Sequence, residues 1–271
     1  NRTTGENADA RRDVAVRTRF VLSPAGSSFK SSLSGFYADL NSKPFAYSTT
    51  NLPMNDPIDN VTKNVNGNID SRYRSVNFSN SIDAGPIAVS ALTSYDTGKV
   101  DTYADGDFTG ISALVVSGKS KRKTFAQEVR FSNASGTSSN FRWLVGGYYS
   151  DDNFNSNSRT LANFPVVGLR PLQINTNSEE GNTYAGFGQA TLVMGSFEVT
   201  GGIRYDREKR HNVSSSLNGL TGRTSTFDAE VVSKAWQPKL SASYHFTPDV
   251  MAYGLVARGF RAGGFNSITT P

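Results

Sequence analysis

The sequence contains no cysteine and only two histidines, His211 and His245. The absence of cysteine excludes disulfide frameworks and thiolate metal sites. With so few histidines, a histidine-rich zinc site is not expected either. The residue types that most often build thiol, redox and zinc chemistry are therefore scarce, and we expect neither a cofactor nor a bound metal.

Long apolar runs are also missing, and no segment approaches the roughly 18 apolar residues that a membrane helix needs. The mean hydropathy is −0.42. This value does not by itself indicate a water-soluble protein, because only alternate residues of a transmembrane β-strand meet lipid. The 28 lysines and arginines exceed the 23 acidic residues only slightly and are scattered, so no nucleic-acid partner is expected.

The feature that the chain does have is strict alternation of apolar and polar residues, most clearly between residues 236 and 258. Such a period of two is typical of a strand with one apolar and one polar face. The first half puts one set of side chains on the apolar face: Trp236, Pro238, Leu240, Ala242, Tyr244 and Phe246. After a turn at Pro248, which presets a turn conformation, we expect Met251, Tyr253, Leu255 and Ala257 to continue that face. Arg258 would then lie on the polar face, before a glycine-rich loop.

The same pattern repeats along the chain and predicts ten strands in five hairpins. The predicted strands are Asp13–Leu22, Phe29–Asp39, Arg72–Ile82, Ile87–Tyr95, Phe125–Phe131, Phe141–Tyr149, Tyr184–Val193, Phe197–Asp206, Trp236–Phe246 and Val250–Arg258. Short turns alternate with four long polar stretches, which we predict to be loops. These stretches are Leu40–Ser71, Gly98–Lys123, Asp151–Gly181 and Arg207–Ser233.

Alternation of short turns with long loops is typical of outer-membrane barrels, whose long loops lie outside the cell. The fold class that we predict is all-β, an antiparallel up-and-down meander that forms part of a transmembrane β-barrel. Aromatic residues near the strand ends fit interfacial girdles. A soluble β-sandwich is the structural alternative. Because both chain ends would lie outside the cell, we expect the first and last strands not to pair with each other.

Three segments resemble TonB-dependent outer-membrane receptors: YAGFGQATL at Tyr184–Leu192, GGIRYDREKR at Gly201–Arg210, and Pro238–Asn266. Phe125–Asp152 is similar to an earlier hairpin of the same barrels. The resemblance implies a 22-stranded barrel with an N-terminal plug and a short segment that engages TonB. Residues 1–271 would be the central part of that barrel domain, without the plug.

The resemblance also implies a function, namely uptake of a scarce nutrient across the bacterial outer membrane. Ferric siderophores, haem, cobalamin and glycans are the substrate classes of the family, and a ferric siderophore is the default expectation. The implied partners are outer-membrane lipid and lipopolysaccharide, TonB through the absent plug, and a small-molecule ligand. A passive porin-like channel, a barrel-embedded hydrolase and a soluble β-protein are the alternatives.

Candidate ligand-binding residues come from the polar strand faces and the predicted loops. Arg204, Asp206, Lys239, Arg258 and, beyond the last strand, Arg261 would point into the barrel. The aromatic residues Tyr103 and Phe154, like Tyr47, would stack on a ligand from the loops. Ordinary hydration and ion pairing along a polar wall is the alternative role for the charged residues. No serine, histidine and carboxylate arrangement can be assigned, so we predict no catalytic residue and no enzyme activity.

Two charged segments in the predicted loops need separate consideration. Lys119, Lys121, Arg122 and Lys123 form a basic run that could meet lipopolysaccharide phosphates, or could simply be hydrated. The acidic segment DTYADGDFTG begins at Asp101, and its spacing does not fit a calcium-binding loop. We therefore predict that the acidic segment is a solvated loop.

Overall fold

The computed structural model describes residues 1–44, 61–134 and 139–265, and the regular structure in these ranges is entirely β. The ten strands are β1 Arg11–Leu22, β2 Lys30–Ser42, β3 Asn68–Ala84, β4 Ile87–Asp105, β5 Leu114–Asn133, β6 Phe141–Phe164, β7 Gly168–Met194, β8 Phe197–Asn218, β9 Thr224–Thr247 and β10 Val250–Ala257. Within the same ranges no helix is long and apolar enough to cross a membrane.

The strands form one antiparallel sheet in which every strand pairs with its neighbours in sequence, in the order β1 to β10. This arrangement confirms the predicted meander. Strands β1 and β10 are the two edges of the sheet and do not pair with each other. The predicted absence of a ladder between them is therefore confirmed, and the sheet is open.

The register of the strands separates two chemically different faces. One row of directly paired residues crosses seven strands and carries mainly apolar side chains: Ile82, Val89, Phe131, Val145, Gly188, Ile203 and Pro238. The adjacent row, one residue along each strand, is mainly polar: Ser81, Ser90, Arg130, Gly146, Phe187, Arg204 and Gln237. Paired residues share a face and successive residues alternate, so we call the two surfaces the Ile203 face and the Arg204 face.

Aromatic side chains form a belt on the Ile203 face near the middle of the long strands. The rings of Phe125 and Tyr149 lie 6.3 Å apart, and those of Tyr149 and Tyr184 lie 4.9 Å apart. Tyr205 and Trp236 form a further close pair at 4.6 Å. Aromatic rings are enriched where a transmembrane β-strand meets the membrane interface, so this belt indicates where the apolar part of the sheet ends.

Three of the four predicted long loops are wrong. Strands β4 to β9 run far beyond the aromatic belt, and only residues 106–113, 165–167 and 219–223 connect them at that end. The stretches were assigned to loops because they lack an apolar face. Here both faces are polar, so the period of two that reveals a half-buried strand is invisible although the backbone ladder continues. Of the stretch Leu40–Ser71, residues 45–60 lie outside the described residues.

The predicted faces of β10 are also wrong. A register shift between Val250 and Met251 leaves Phe246 without a partner, and Met251 then pairs with His245. Because one extra residue inverts the alternation of a strand, Ala252, Gly254 and Val256 share the Ile203 face with Tyr244, Ala242 and Leu240. Met251, Tyr253, Leu255 and Ala257 lie on the Arg204 face instead.

Candidate functional site

The Arg204 face carries a polar cluster between β8 and β9, and Asp206 lies at its centre. The carboxylate of Asp206 accepts hydrogen bonds from Arg204 Nε at 2.8 Å, Arg204 Nη2 at 2.8 Å and Gln237 Nε2 at 2.5 Å. Asp206 is only 6% exposed. A buried carboxylate is stable when charged donors hydrogen-bond to it in this way. Arg204 and Asp206, two residues apart on β8, therefore form one fixed ion pair.

Aromatic rings surround the guanidinium of Arg204. Its central carbon lies 5.6 Å from the ring centres of both Tyr148 and Phe187. Arg130, which pairs with Glu128 at 2.5 Å, approaches the Phe187 ring from the other side at 6.0 Å. These distances are within the range of cation–π attraction. Together with the Asp206 pair, these contacts hold the planar guanidinium of Arg204 in place.

Two glycines make room for large side chains on this face. A Cβ on Gly146 would lie 2.5 Å and 2.7 Å from ring atoms of Phe187, so the ring lies directly over the backbone of β6. A Cβ on Gly202 would lie 2.6 Å from Cε of Lys239, whose stem crosses β8. A strand glycine often marks such a close approach. Phe187 and Lys239 therefore lie flat along the sheet.

We call the group of side chains around Asp206 and Arg204 the lower cluster. A cavity of about 460 Å³ adjoins it. Its lining includes Arg204, Lys239 and Arg258. Lys239 makes no ion pair with any described residue, in contrast to Arg204. Arg258 follows the last residue of β10 and donates its backbone N–H to Pro238 O at 3.0 Å. Three of the predicted site residues, Arg204, Lys239 and Arg258, thus line one cavity, and the fourth, Asp206, pairs with Arg204 beside it.

A second group on the Arg204 face, the upper cluster, lies beyond the aromatic belt. Asp152 accepts a hydrogen bond from Thr124 Oγ1 at 2.6 Å and lies 3.7 Å from Arg122 Nη1. The Arg122 guanidinium lies 5.1 Å from the centre of the Phe154 ring. Phe154 was predicted to be a loop aromatic, but it lies within β6 on this face, where it pairs with Arg122 and Glu179.

Arg210 joins the upper cluster from β8 and contacts two carboxylates. It pairs with Glu179 at 3.2 Å and also with Glu208. Burial acts to lower the pKa of Arg210, but the hydrogen bond to Glu208 and the charges of Glu208 and Glu179 raise it. Arg210 is therefore a permanent cation. A cavity of about 360 Å³ beside it is lined in part by Phe154, Glu179, Asn212, Ser214 and Phe265.

Two predicted site residues lie away from these clusters. Tyr103 is in β4 on the Ile203 face, where it lines a different cavity with Asp70 and Lys119. Arg261 lies beyond β10 and is exposed. The structure therefore does not bring Tyr103 and Phe154 to the same surface. Tyr47 lies outside the described residues.

The sequence reasoning missed several members of the two clusters: Glu128, Arg130, Asp152, Glu179, Glu208, Arg210 and Gln237. Of these, Glu128 and Arg130 did alternate with apolar residues and could have been paired with Arg204 if the register had been known. No local pattern marks Asp152, Glu179 or Arg210, because their strands are polar on both faces. Their meeting depends on pairing between β5, β6, β7 and β8.

The sequence profile of the TonB dependent receptor-like β-barrel family matches residues 3–271 of the chain. The chain therefore belongs to this family, whose members are β-barrel proteins of the outer membrane of Gram-negative bacteria, and it is part of such a transmembrane barrel. This class agrees with the apolar Ile203 face, the aromatic belt and the open ten-stranded meander.

Solved structures of similar fold include several uptake receptors. The ferric yersiniabactin uptake receptor FyuA from Yersinia pestis superposes with a TM-score of 0.75 at 16% identity, covering 90% of this chain and 37% of that one. The closed form of the ferric-catecholate import receptor Fiu from E. coli K12 gives 0.68 at 14% identity, with 93% and 44% covered. The copper transporter OprC gives 0.63 at 9% identity, with 91% and 37% covered. The chain thus spans less than half the length of these neighbours.

Proposed function

We propose that this chain is the central wall of a receptor that imports a scarce nutrient in the form of a ferric siderophore, with energy supplied through TonB. The single observation that carries this proposal is the pair of charged clusters on the Arg204 face, set in a barrel of the receptor family. The chain would act in transport and in binding, and we propose no catalytic role for the described residues. The Ile203 face would contact outer-membrane lipid.

The two clusters suit different tasks in this receptor. Two of the four cations of the lower cluster, Arg130 and Arg204, are neutralised by neighbouring carboxylates, which favours a rigid polar wall over a binding site. This cluster lies level with the apolar rows of the Ile203 face, and the family places a plug inside the barrel at that depth. We infer that Lys239, whose charge lacks a carboxylate among the described residues, contacts the plug.

The upper cluster lies beyond the membrane belt, where a ligand would arrive from outside the cell. Phe154 and Phe265 offer apolar ring surface beside the cations Arg122 and Arg210. A ferric siderophore combines negative charge with flat conjugated groups, and both properties are recognised by such a mixture. A copper complex is a second candidate cargo, because one structural neighbour carries the name copper transporter.

Uptake measured in whole cells would test the proposal with the intact receptor. Cells starved of iron would be supplied with radiolabelled iron bound to a catecholate, a hydroxamate or a citrate-type chelator. We expect TonB-dependent uptake of one class, reduced on the order of tenfold by Phe154→Ala combined with Arg210→Gln, as expected from losing one stacking and one charged contact. Lys234→Gln, on the Ile203 face, is the matched control.

The passive-channel alternative predicts a different pattern in the same experiment. Uptake through a passive pore would persist in cells without TonB and would show no saturation with any chelator. That result would overturn energised import. Saturable, TonB-dependent uptake of a copper complex in place of every iron chelator would retain the receptor function but reject the siderophore.

A further inference from the structure

Three cations from three adjacent strands lie side by side on the Ile203 face. Arg72 of β3 pairs in register with Lys99 of β4, and Lys99 pairs with Lys121 of β5. Lys119 and Lys123 flank this row on β5 and share the same face. The basic run of the sequence is thus divided by the strand, since Arg122 points to the Arg204 face and joins the upper cluster.

Such a row is unfavourable in the absence of a counter-charge, because like charges directly opposite each other on a sheet repel. Arg72 has Asp39 at 3.5 Å. Among the described residues, Lys99, Lys119, Lys121 and Lys123 form no ion pair within 4 Å. On the same face, Asp70 and Asp101 lie one row farther from the belt, and Asp151 lies on β6 opposite Phe125.

The height of the row relative to the aromatic belt is informative. On β5, Lys123 lies two residues before the belt residue Phe125. On β4, Lys99 lies four residues after Tyr95, which pairs with Phe125. At about 3.3 Å per residue these separations are roughly 7 and 13 Å along the strands. With strands tilted by about 45°, the charges lie roughly 5 to 10 Å beyond the belt, at the depth of lipid headgroups.

The row also borders a depression that could hold a headgroup. A cavity of about 600 Å³ opens on this face and is lined in part by Lys99, Asp101, Lys119, Lys121, Asn155, Asn157 and Ser178. Amide and hydroxyl groups beside the ammonium groups suit a phosphorylated sugar. Below the row the same face continues into the apolar surface around Phe125, Tyr149 and Ile203, where acyl chains would lie.

We propose that Lys99, Lys121 and Lys123, with Arg72, form a binding site for the phosphate groups of an outer-leaflet glycolipid, the lipid A portion of lipopolysaccharide. The occupant is a lipid because the cations and the apolar surface are continuous on one face. This site is independent of the cargo, since it lies on the opposite side of the sheet from both clusters.

Direct binding of lipid A to the intact receptor in detergent micelles tests the site. The variant Lys99→Gln/Lys121→Gln/Lys123→Gln is compared with Arg17→Gln/Arg19→Gln/Lys30→Gln, which removes three charges from the Arg204 face of β1 and β2. We expect the first triple variant to lose lipid A affinity by tenfold or more, in line with the attraction of each basic residue to an anionic surface. The control should bind like the parent receptor.

Changes in the probe separate a lipid site from a general anion site. Lipid A with both phosphates removed should bind the parent receptor as weakly as bis-phosphorylated lipid A binds the lysine variant. Inorganic phosphate at the same concentration should not displace lipid A. Equal affinity of both triple variants, equal affinity for the dephosphorylated lipid, or displacement by inorganic phosphate would each overturn the proposal.

Discussion

The two halves of this sheet are built on the same backbone ladder but follow different rules of side-chain chemistry. Around Ile203 one face is apolar and the other polar, as a membrane outside and a wet interior require. Beyond the aromatic belt both faces are polar, and the strands continue past Tyr184, Tyr205 and Trp236 for 16, 13 and 12 residues on β7, β8 and β9. The difference teaches that strand length here is set by hydrogen bonding, whereas strand facing is set by the surrounding solvent.

The largest expected effect contrasts these halves with one substitution on one strand. Ile203→Arg places a cation on the lipid face within the apolar band, two residues from the belt residue Tyr205, and should reduce the free energy of unfolding by about 1–3 kcal/mol. Val213→Arg lies on the same face and the same strand but beyond the belt. It should cost less than about 0.5 kcal/mol. The two side chains are similarly exposed, at 49% and 43%.

Equilibrium unfolding of the intact receptor in lipid vesicles measures both values. In detergent micelles that wrap the band loosely the difference should shrink. Equal costs in vesicles would show that Ile203 and Val213 meet the same environment, and the assignment of the membrane band would be wrong.

The second effect compares ion pairs of the two halves. Asp206→Ala leaves the half-buried Arg204 guanidinium and the Gln237 amide without their shared acceptor and should cost about 1–3 kcal/mol. Asp228 pairs with His211 at 2.7 Å beyond the belt, but its side chain is 71% exposed. Asp228→Ala should therefore cost less than about 1 kcal/mol. A double-mutant cycle with Arg204→Met would isolate the pair, and a coupling energy near zero would contradict its structural role.

The third effect examines close packing on the Arg204 face. Gly146→Ala would place a Cβ 2.5 Å from the Phe187 ring and 2.8 Å from Val129 O, and should cost about 1–3 kcal/mol. Gly147→Ala is the matched control, since its nearest neighbour would be at 3.9 Å. Removing the ring with Phe187→Ala should lessen the cost of Gly146→Ala. If Phe187→Ala does not lessen the cost of Gly146→Ala, the steric obstacle comes from the backbone alone and not from the ring.

The comparison of the two halves also explains which parts of the fold could be predicted from the sequence. The positions of the hairpins and the meander followed from alternation such as that of Ile203 with its neighbours, because one face is apolar. Residues 98–123 and 207–233 escaped the same reasoning because water on both sides removes the selection for alternation. The face of β10 failed for another reason, namely that the bulge at Phe246 inverts the phase and no residue type marks it.

The candidate site was partly readable for the same physical reasons. Arg204 and Asp206 are two residues apart on one strand, so the sequence alone places them on one face. Gln237 and Phe187 join them only through the register of three strands, which single-strand patterns do not contain. Phe187 shares a strand face with Gln189 and Thr191, an exception to the alternation of apolar and polar residues, and its ring contacts Arg204.

The smallest expected effect concerns the connection between β4 and β5. Here a carboxylate, and not a neighbouring strand, accepts the hydrogen bonds of several backbone N–H groups. Asp107 accepts hydrogen bonds from Leu114 N at 2.7 Å, Thr109 N at 2.9 Å and Ala113 N at 3.2 Å. Burial acts to raise the pKa of Asp107, but the hydrogen bonds with Thr109, Leu114 and Ala113 lower it below the ordinary value of 3.8. A depressed pKa means that the ionised form stabilises this connection.

That stabilisation is complete above the ordinary pKa and is lost as the pH falls through the lower pKa of the folded state. Asp107→Asn should therefore loosen residues 106–113 by about 1 kcal/mol at neutral pH and much less in strong acid. Hydrogen exchange of the Leu114 amide measures this opening without disturbing the barrel. Asp151→Asn, on the Ile203 face of β6, is the control for removing one carboxylate. A protection factor at Leu114 that falls equally in both variants, or that does not depend on pH in the parent, would show that Asp107 does not organise this turn.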